Sequence, residues 1–397
     1  MELKESFEPS CTIEEQTSEP PLTLEEMLAE LPSDLEELTT QLQSDIGKGS
    51  ASVPAPSLNI TDNPFARIDL SGEYSARYGR QVTLHTIPNQ ARQLVWRAIE
   101  HSWPIWHSIL RGEEPAEILR WIISKPEKPG FMLLSEPRYE LSPEQLQDTR
   151  AKLEEVLSAC FFGIHLDNRS AVCVPRRGCR LPTLPGTISD ILFPKSIFDQ
   201  ILDATFAKDN LWLTWLNFEL ASTILHELGH ACVTAAVTRD RQMELGSQCC
   251  EHLGYDSPVA EIGFEIERRL WGGIPMQVQF EDSLRMVARL DFKCFWRPDD
   301  DDATGRVPVT LVMGHWPNKE LVNAYPYPLH VRSELELEEK GWHVDLDWLV
   351  DLFREEFWEA QGGVGRLSSD VLVRDVAWVN RDWKFRAYEN DKKFGLN

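Results

Sequence analysis

Signatures of several common enzyme classes are missing from this 397-residue chain. It has no G-x-S-x-G elbow for a serine nucleophile, no glycine-rich phosphate loop and no internal repeat. The eight cysteines (Cys11, Cys160, Cys173, Cys179, Cys232, Cys249, Cys250 and Cys294) form no C-x-x-C pair and no regular framework. Reduced thiols in an intracellular protein are the expectation. The first residues, Met1 to Ser6, lack the basic and then apolar regions of a signal peptide, and no apolar run reaches membrane-spanning length. A cytoplasmic or nuclear protein, not secreted and not membrane-bound, is therefore expected. Positive charge is also scarce: 40 Lys and Arg stand against 64 Asp and Glu, a net charge of −24. Such a body cannot neutralise phosphate, so nucleic acid and anionic membranes are disfavoured as partners.

A hydrophobic fraction of 42% suffices for a sizeable core, and the 14 tryptophans, among them Trp96, Trp103, Trp106 and Trp121, are read as core packing. The stretch with the most chemistry is His226-Glu227-Leu228-Gly229-His230, an H-E-x-x-H. Residues four apart share a helix face, so both imidazoles can reach one metal ion, while Glu227 stays free to handle a metal-bound water. Leu216, Leu220, Ile224, Leu228, Ala231 and Ala235 recur at helical spacing, which predicts one long helix over Leu211 to Thr238. The histidines occupy a different face from that stripe.

A catalytic zinc ion has three protein ligands and an open position. Glu261 leads the candidates for the third, in the run Ala260 to Glu267. That run reads as a second helix, with Ser257-Pro258 as N-cap and first-turn proline and Gly272-Gly273 as its close. Glu265, four residues on, is placed to accept a hydrogen bond from a ligand histidine. Glu267 falls on another face. Glu251 and His252, on the loop leading to Tyr255, are rival ligands.

H-E-x-x-H followed by a helical E-x-x-x-E resembles the gluzincin branch of the zincin metallopeptidases, over roughly Leu211 to Gly273. The chain has Glu265 where better-known members carry aspartate, and it lacks the G-x-x-H extension of the metzincins. SprT-like zincins, which work at DNA, would carry a basic part that is missing here. The resemblance implies an α+β fold with a zincin-like core: an active-site helix, a short mixed sheet and a glutamate-bearing helix. It also implies zinc bound by His226, His230 and Glu261, with Glu265 behind them. Glu227 would take a proton from water for attack on the bonds of a peptide or protein substrate.

Residues 1–60 hold thirteen acidic side chains against Lys4 and Lys48 and end in a Pro- and Ser-rich run, the composition of a disordered segment. Within it Leu24, Leu28, Leu31, Leu35, Leu38 and Leu42 recur at helical spacing. Residues 61–280 form the expected catalytic domain. There, helices are read over Asn89 to Ser124, with breaks at Pro104 and near Gly112, and from the Ser142 capping box to about Phe161. Strands are read at Gly163 to Leu166, Ala171 to Val174 and Thr187 to Phe193. In a zincin an edge strand before the active-site helix binds extended substrate. Residues 281–397 form a mixed α/β region, either separate or part of the same domain, with Asp345 to Ala360 read as a helix and Asp299 to Asp302 as an acidic loop. A zinc metallopeptidase is the leading reading. The alternatives are a non-catalytic zincin-fold binding or scaffold protein, and an acidic interaction protein with a coincidental motif.

Overall fold

The structure is a computed structural model that describes residues 56–67, 70–71, 87–111, 132–133, 140–165, 170–238, 252–253, 261–279, 295–298, 306–314, 341–344 and 346–360. Outside these lie Glu251, Tyr255, the Ser257-Pro258 pair, Trp121, the acidic loop at Asp299 and the leucines from Leu24 to Leu42; His252 is described in its backbone alone.

After a 3-10 turn at Pro64–Arg67 come β1 (Leu70–Ser71), α1 (Asn89–His101), α2 (Trp103–Leu110), β2 (Met132–Leu133) and α3 (Pro143–Ala159). Next are β3 (Phe161–His165), β4 (Val172–Arg180), β5 (Thr187–Pro194), α4 (Lys195–Ala207), α5 (Asn210–Ala236) and β6 (His252–Leu253). The chain continues through α6 (Ile262–Trp271), β7 (Ile274–Gln279), β8 (Phe295–Pro298), β9 (Arg306–Gly314), β10 (Gly341–His343), α7 (Leu346–Asp351) and α8 (Glu355–Ala360).

The class is α+β. One sheet has the order β1-β3-β5-β4, with β1, β3 and β5 parallel and β4 antiparallel at the edge. A second, antiparallel sheet runs β10-β9-β7, with β8 also on β9. β2 and β6 pair in parallel.

Local chemistry sets several boundaries. The Ser142 capping box forms as read, with Ser142 Oγ accepting from Gln145 N and Gln145 Oε1 accepting from Ser142 N. The break between α1 and α2 falls at Ser102. Its hydroxyl donates to Ala98 O and accepts from Trp106 Nε1. Pro104 sits in the first turn of α2, where its missing N–H costs nothing. The helix read over Asp345 to Ala360 is two short ones, parted at Leu352 to Arg354.

α5 is the centre of the described core. Asp209 caps its start by accepting from Trp212 N, and 21 of its 27 residues are buried. A helix buried on every face needs apolar residues all round rather than a stripe. α1, α2, α4, α6, β4 and β5 all pack against it. Trp215, Phe218, Trp271 and Trp348 join ring to ring across α5, α6 and α7. Trp96, Trp103 and Trp106 are likewise core residues.

The same core takes in both ends of the described chain. Leu58 is buried within it, and the backbone N–H groups of Ser57 and Leu58 donate to Phe353 O. One buried leucine and two backbone bonds thus tie residues 57 and 58 to that core. Val344, Trp348, Leu349, Leu352, Phe353 and Trp358 belong to that core too. Among the described residues, no helix is long and apolar enough to cross a membrane.

Candidate metal centre

The two histidines of H-E-x-x-H lie one turn apart on α5, with ring centroids 5.0 Å apart. α6 lies against them. Its ten residues begin at Ile262, and Glu261 is the N-cap, in extended backbone conformation (φ −157°, ψ 101°). Glu261 Oε2 accepts from Phe264 N at 2.5 Å, the capping bond usually supplied by Ser, Thr, Asp or Asn. The other oxygen turns to α5: Oε1 lies 2.8 Å from His230 Nε2 and 3.5 Å from His226 Nε2. Gly272, at φ 79°, closes the helix in the left-handed conformation that suits glycine.

One ligand atom from each of His226, His230 and Glu261 falls within 4.8 Å of the others. Donors around a tetrahedral zinc ion, bonded at 2.0–2.2 Å, stand about 3.4 Å apart, so small adjustments would close these atoms on a cation. Glu261 is 1% exposed, and its Oε1 is shared between the two imidazoles. A buried carboxylate oxygen facing two ring nitrogens is a place that suits a cation. Two imidazoles and one carboxylate are also a donor set suited to zinc. The residues fit the ion that the motif implies.

Electrostatics mark the same place. Burial alone would raise the Glu261 carboxyl and lower His226, but their mutual charges prevail. Glu261 is lowered to about 2 by the two histidines, and His226 is raised to about 9 by Glu261 and Glu267. Burial also raises Glu267 above the usual carboxylate range, against the pull of His226.

Glu267 corrects the sequence reading. Its Oε1 lies 2.8 Å from His226 Nδ1 and accepts that nitrogen's proton, which leaves Nε2 to face Glu261. Glu265, expected in this role, instead accepts from Arg268 and Arg269 at 2.6–3.2 Å. The physical reason is the start of α6. Glu261 precedes the helix, so four-residue spacing does not carry its direction to Glu265. Gly263 and Glu267 are the helical i, i+4 pair, and they share the face turned to His226. A Glu261 N-cap also displaces Ser257-Pro258 as the start signal.

Glu227 is 5% exposed, and its charge acts on His226, on Glu267 and on the thiol of Cys173 in the edge strand β4. The charge of the catalytic candidate is thus felt both at His226 and at that edge. Burial pushes the Cys173 thiol far up, with Glu227 adding to the effect, so it stays protonated.

No family model matches the chain, and neither a curated protein nor a solved structure matches it.

Proposed function

We propose that this protein is a zinc-dependent peptide hydrolase built on a zincin-like core. The observation that carries the reading is the convergence of His226, His230 and Glu261, which come from two helices and lie up to 35 positions apart in the chain, on one shared point. His226, His230 and Glu261 hold the ion, and Glu267 fixes the tautomer and tilt of His226. A zinc ion bound there supplies Lewis acidity, acidifying a water and polarising a carbonyl oxygen. Glu227 is the general base: its carboxylate takes the proton from water and returns it to the departing amine. The antiparallel edge strand β4, packed on α5, offers backbone groups to an extended substrate.

A second reading is a metal-holding binding or scaffold protein. The closure of the site favours it, for Glu227 and Glu261 are almost wholly buried and His226 is 8% exposed. The two readings part at Glu227, which a structural site does not need.

Elemental analysis of purified wild type and His230→Ala comes first. About one zinc per wild-type chain, lost in the variant, supports the centre. A wild type that takes up no metal removes both readings. Glu227→Gln then decides between them: zinc retained with peptide hydrolysis lost supports the hydrolase, whereas a zinc-loaded wild type that cleaves no peptide in a broad library supports the scaffold.

A further inference from the structure

We infer that Gly263 is a positioning residue for this centre: the absence of a side chain there lets the His226 imidazole lie against the backbone of α6, within reach of Glu261 and Glu267 together. The inference rests on the metal-centre reading and concerns how that centre is held.

A Cβ at position 263 would stand 2.3 Å from His226 Cδ2 and 2.4 Å from both Cγ and Nε2. These are atoms of a rigid ring, so no bending of a flexible tip relieves the overlap. The ring is also held on other sides. Glu267 holds Nδ1 at 2.8 Å, and Phe264 packs edge-on with centroids 4.8 Å apart. Any side chain at 263 must therefore move the whole imidazole and carry Nε2 away from Glu261. Backbone freedom is not the reason for glycine here. Among the described glycines only Gly272 has positive φ, and glycine inside a helix costs about 1 kcal/mol relative to alanine.

Close helix packing by itself is the competing explanation, and the molecule contains its own control. Gly229, on α5, faces the same helix, and a Cβ there would stand 2.4 Å from Ile266 Cδ1, the end of a flexible side chain. Its next neighbours are 3.7 Å away or more. Alanine at 229 presses on the same helix pair, and across the interface it meets Ile266 and Ile262 instead of a ligand ring.

The test compares full-length wild type, Gly263→Ala and Gly229→Ala. Zinc affinity is read by competition with a chromogenic chelator, and folding by circular dichroism and thermal melting of the metal-free proteins. Gly263→Ala should fold and lose about 10–100-fold in zinc affinity, the scale on which displaced supports of a metal ligand are felt. Gly229→Ala should keep wild-type affinity at a comparable change in melting temperature. Wild-type affinity in Gly263→Ala overturns the inference, as does an equal loss in Gly229→Ala. So does a metal-free Gly263→Ala that does not fold, because the cost then lies in packing. A wild type that binds no zinc overturns the metal centre itself, a separate result.

Discussion

Nδ1 of His226 and Oε1 of Glu267 meet at 2.8 Å across the α5–α6 interface, although the two residues are 41 positions apart. The contact fixes which imidazole nitrogen is free, so its removal should be felt at the metal. Glu267→Ala is expected to weaken zinc binding about 10–100-fold. Glu265→Ala, which among the described residues breaks the contacts to Arg268 and Arg269, should leave affinity unchanged. Chelator competition on the two variants checks this, and a larger loss in Glu265→Ala would reverse the assignment.

Glu261 combines two tasks that substitution can separate. Glu261→Gln and Glu261→Ala should both lose zinc. The amide of glutamine can still accept from Phe264 N, whereas alanine cannot. In urea unfolding of the metal-free proteins, the alanine variant should be less stable than the glutamine variant by about 1 kcal/mol, the worth of a helix cap. Equal stabilities would mean that the cap contributes nothing.

Stability of the metal-free protein should depend on pH in the alkaline range. Burial disfavours the His226 cation, but Glu261 and Glu267 raise it from 6.5 to about 9. A histidine raised on folding stabilises fully below its unfolded value, and the contribution fades as pH rises through the folded value. Melting temperature in chelator should therefore fall between about pH 6.5 and 9, and the fall should vanish in His226→Gln. Glu261, lowered to about 2, has the opposite sign: its contribution is present above pH 4.5 and is lost in strong acid.

The last described helices are part of the main core. Phe353 is 1% exposed, and its carbonyl accepts from Ser57 and Leu58. Phe353→Ala should cost about 3–5 kcal/mol and lower the melting temperature of the whole domain in one transition. Loss of a separate, minor transition would instead mark an independent C-terminal module.

How much of this could be read in advance depends on the range of each signal. α5 was legible because its pattern is long: a helix read over Leu211 to Thr238 runs from Asn210 to Ala236. The capping box at Ser142 and the glycine stop at Gly272 were legible because they are local chemistry. The start of α6 was not. A glutamate N-cap lies outside the usual set of capping residues, and Ser257-Pro258 offered a more familiar start. That shift exchanged the face of Glu265 for the face of Glu267. The bond from Leu58 N to Phe353 O joins residues about 300 positions apart, a distance no local pattern spans.

The placement of the ligands on two unequal helices has a kinetic consequence. His226 and His230 ride on a 27-residue helix packed on many elements, whereas Glu261 caps a buried helix of ten. Proteins open piecemeal, and a short element with few packing partners opens more often than one that packs on many. Metal exchange should thus be timed by the departure of α6, and the dissociation rate of the ion becomes a clock for that single motion.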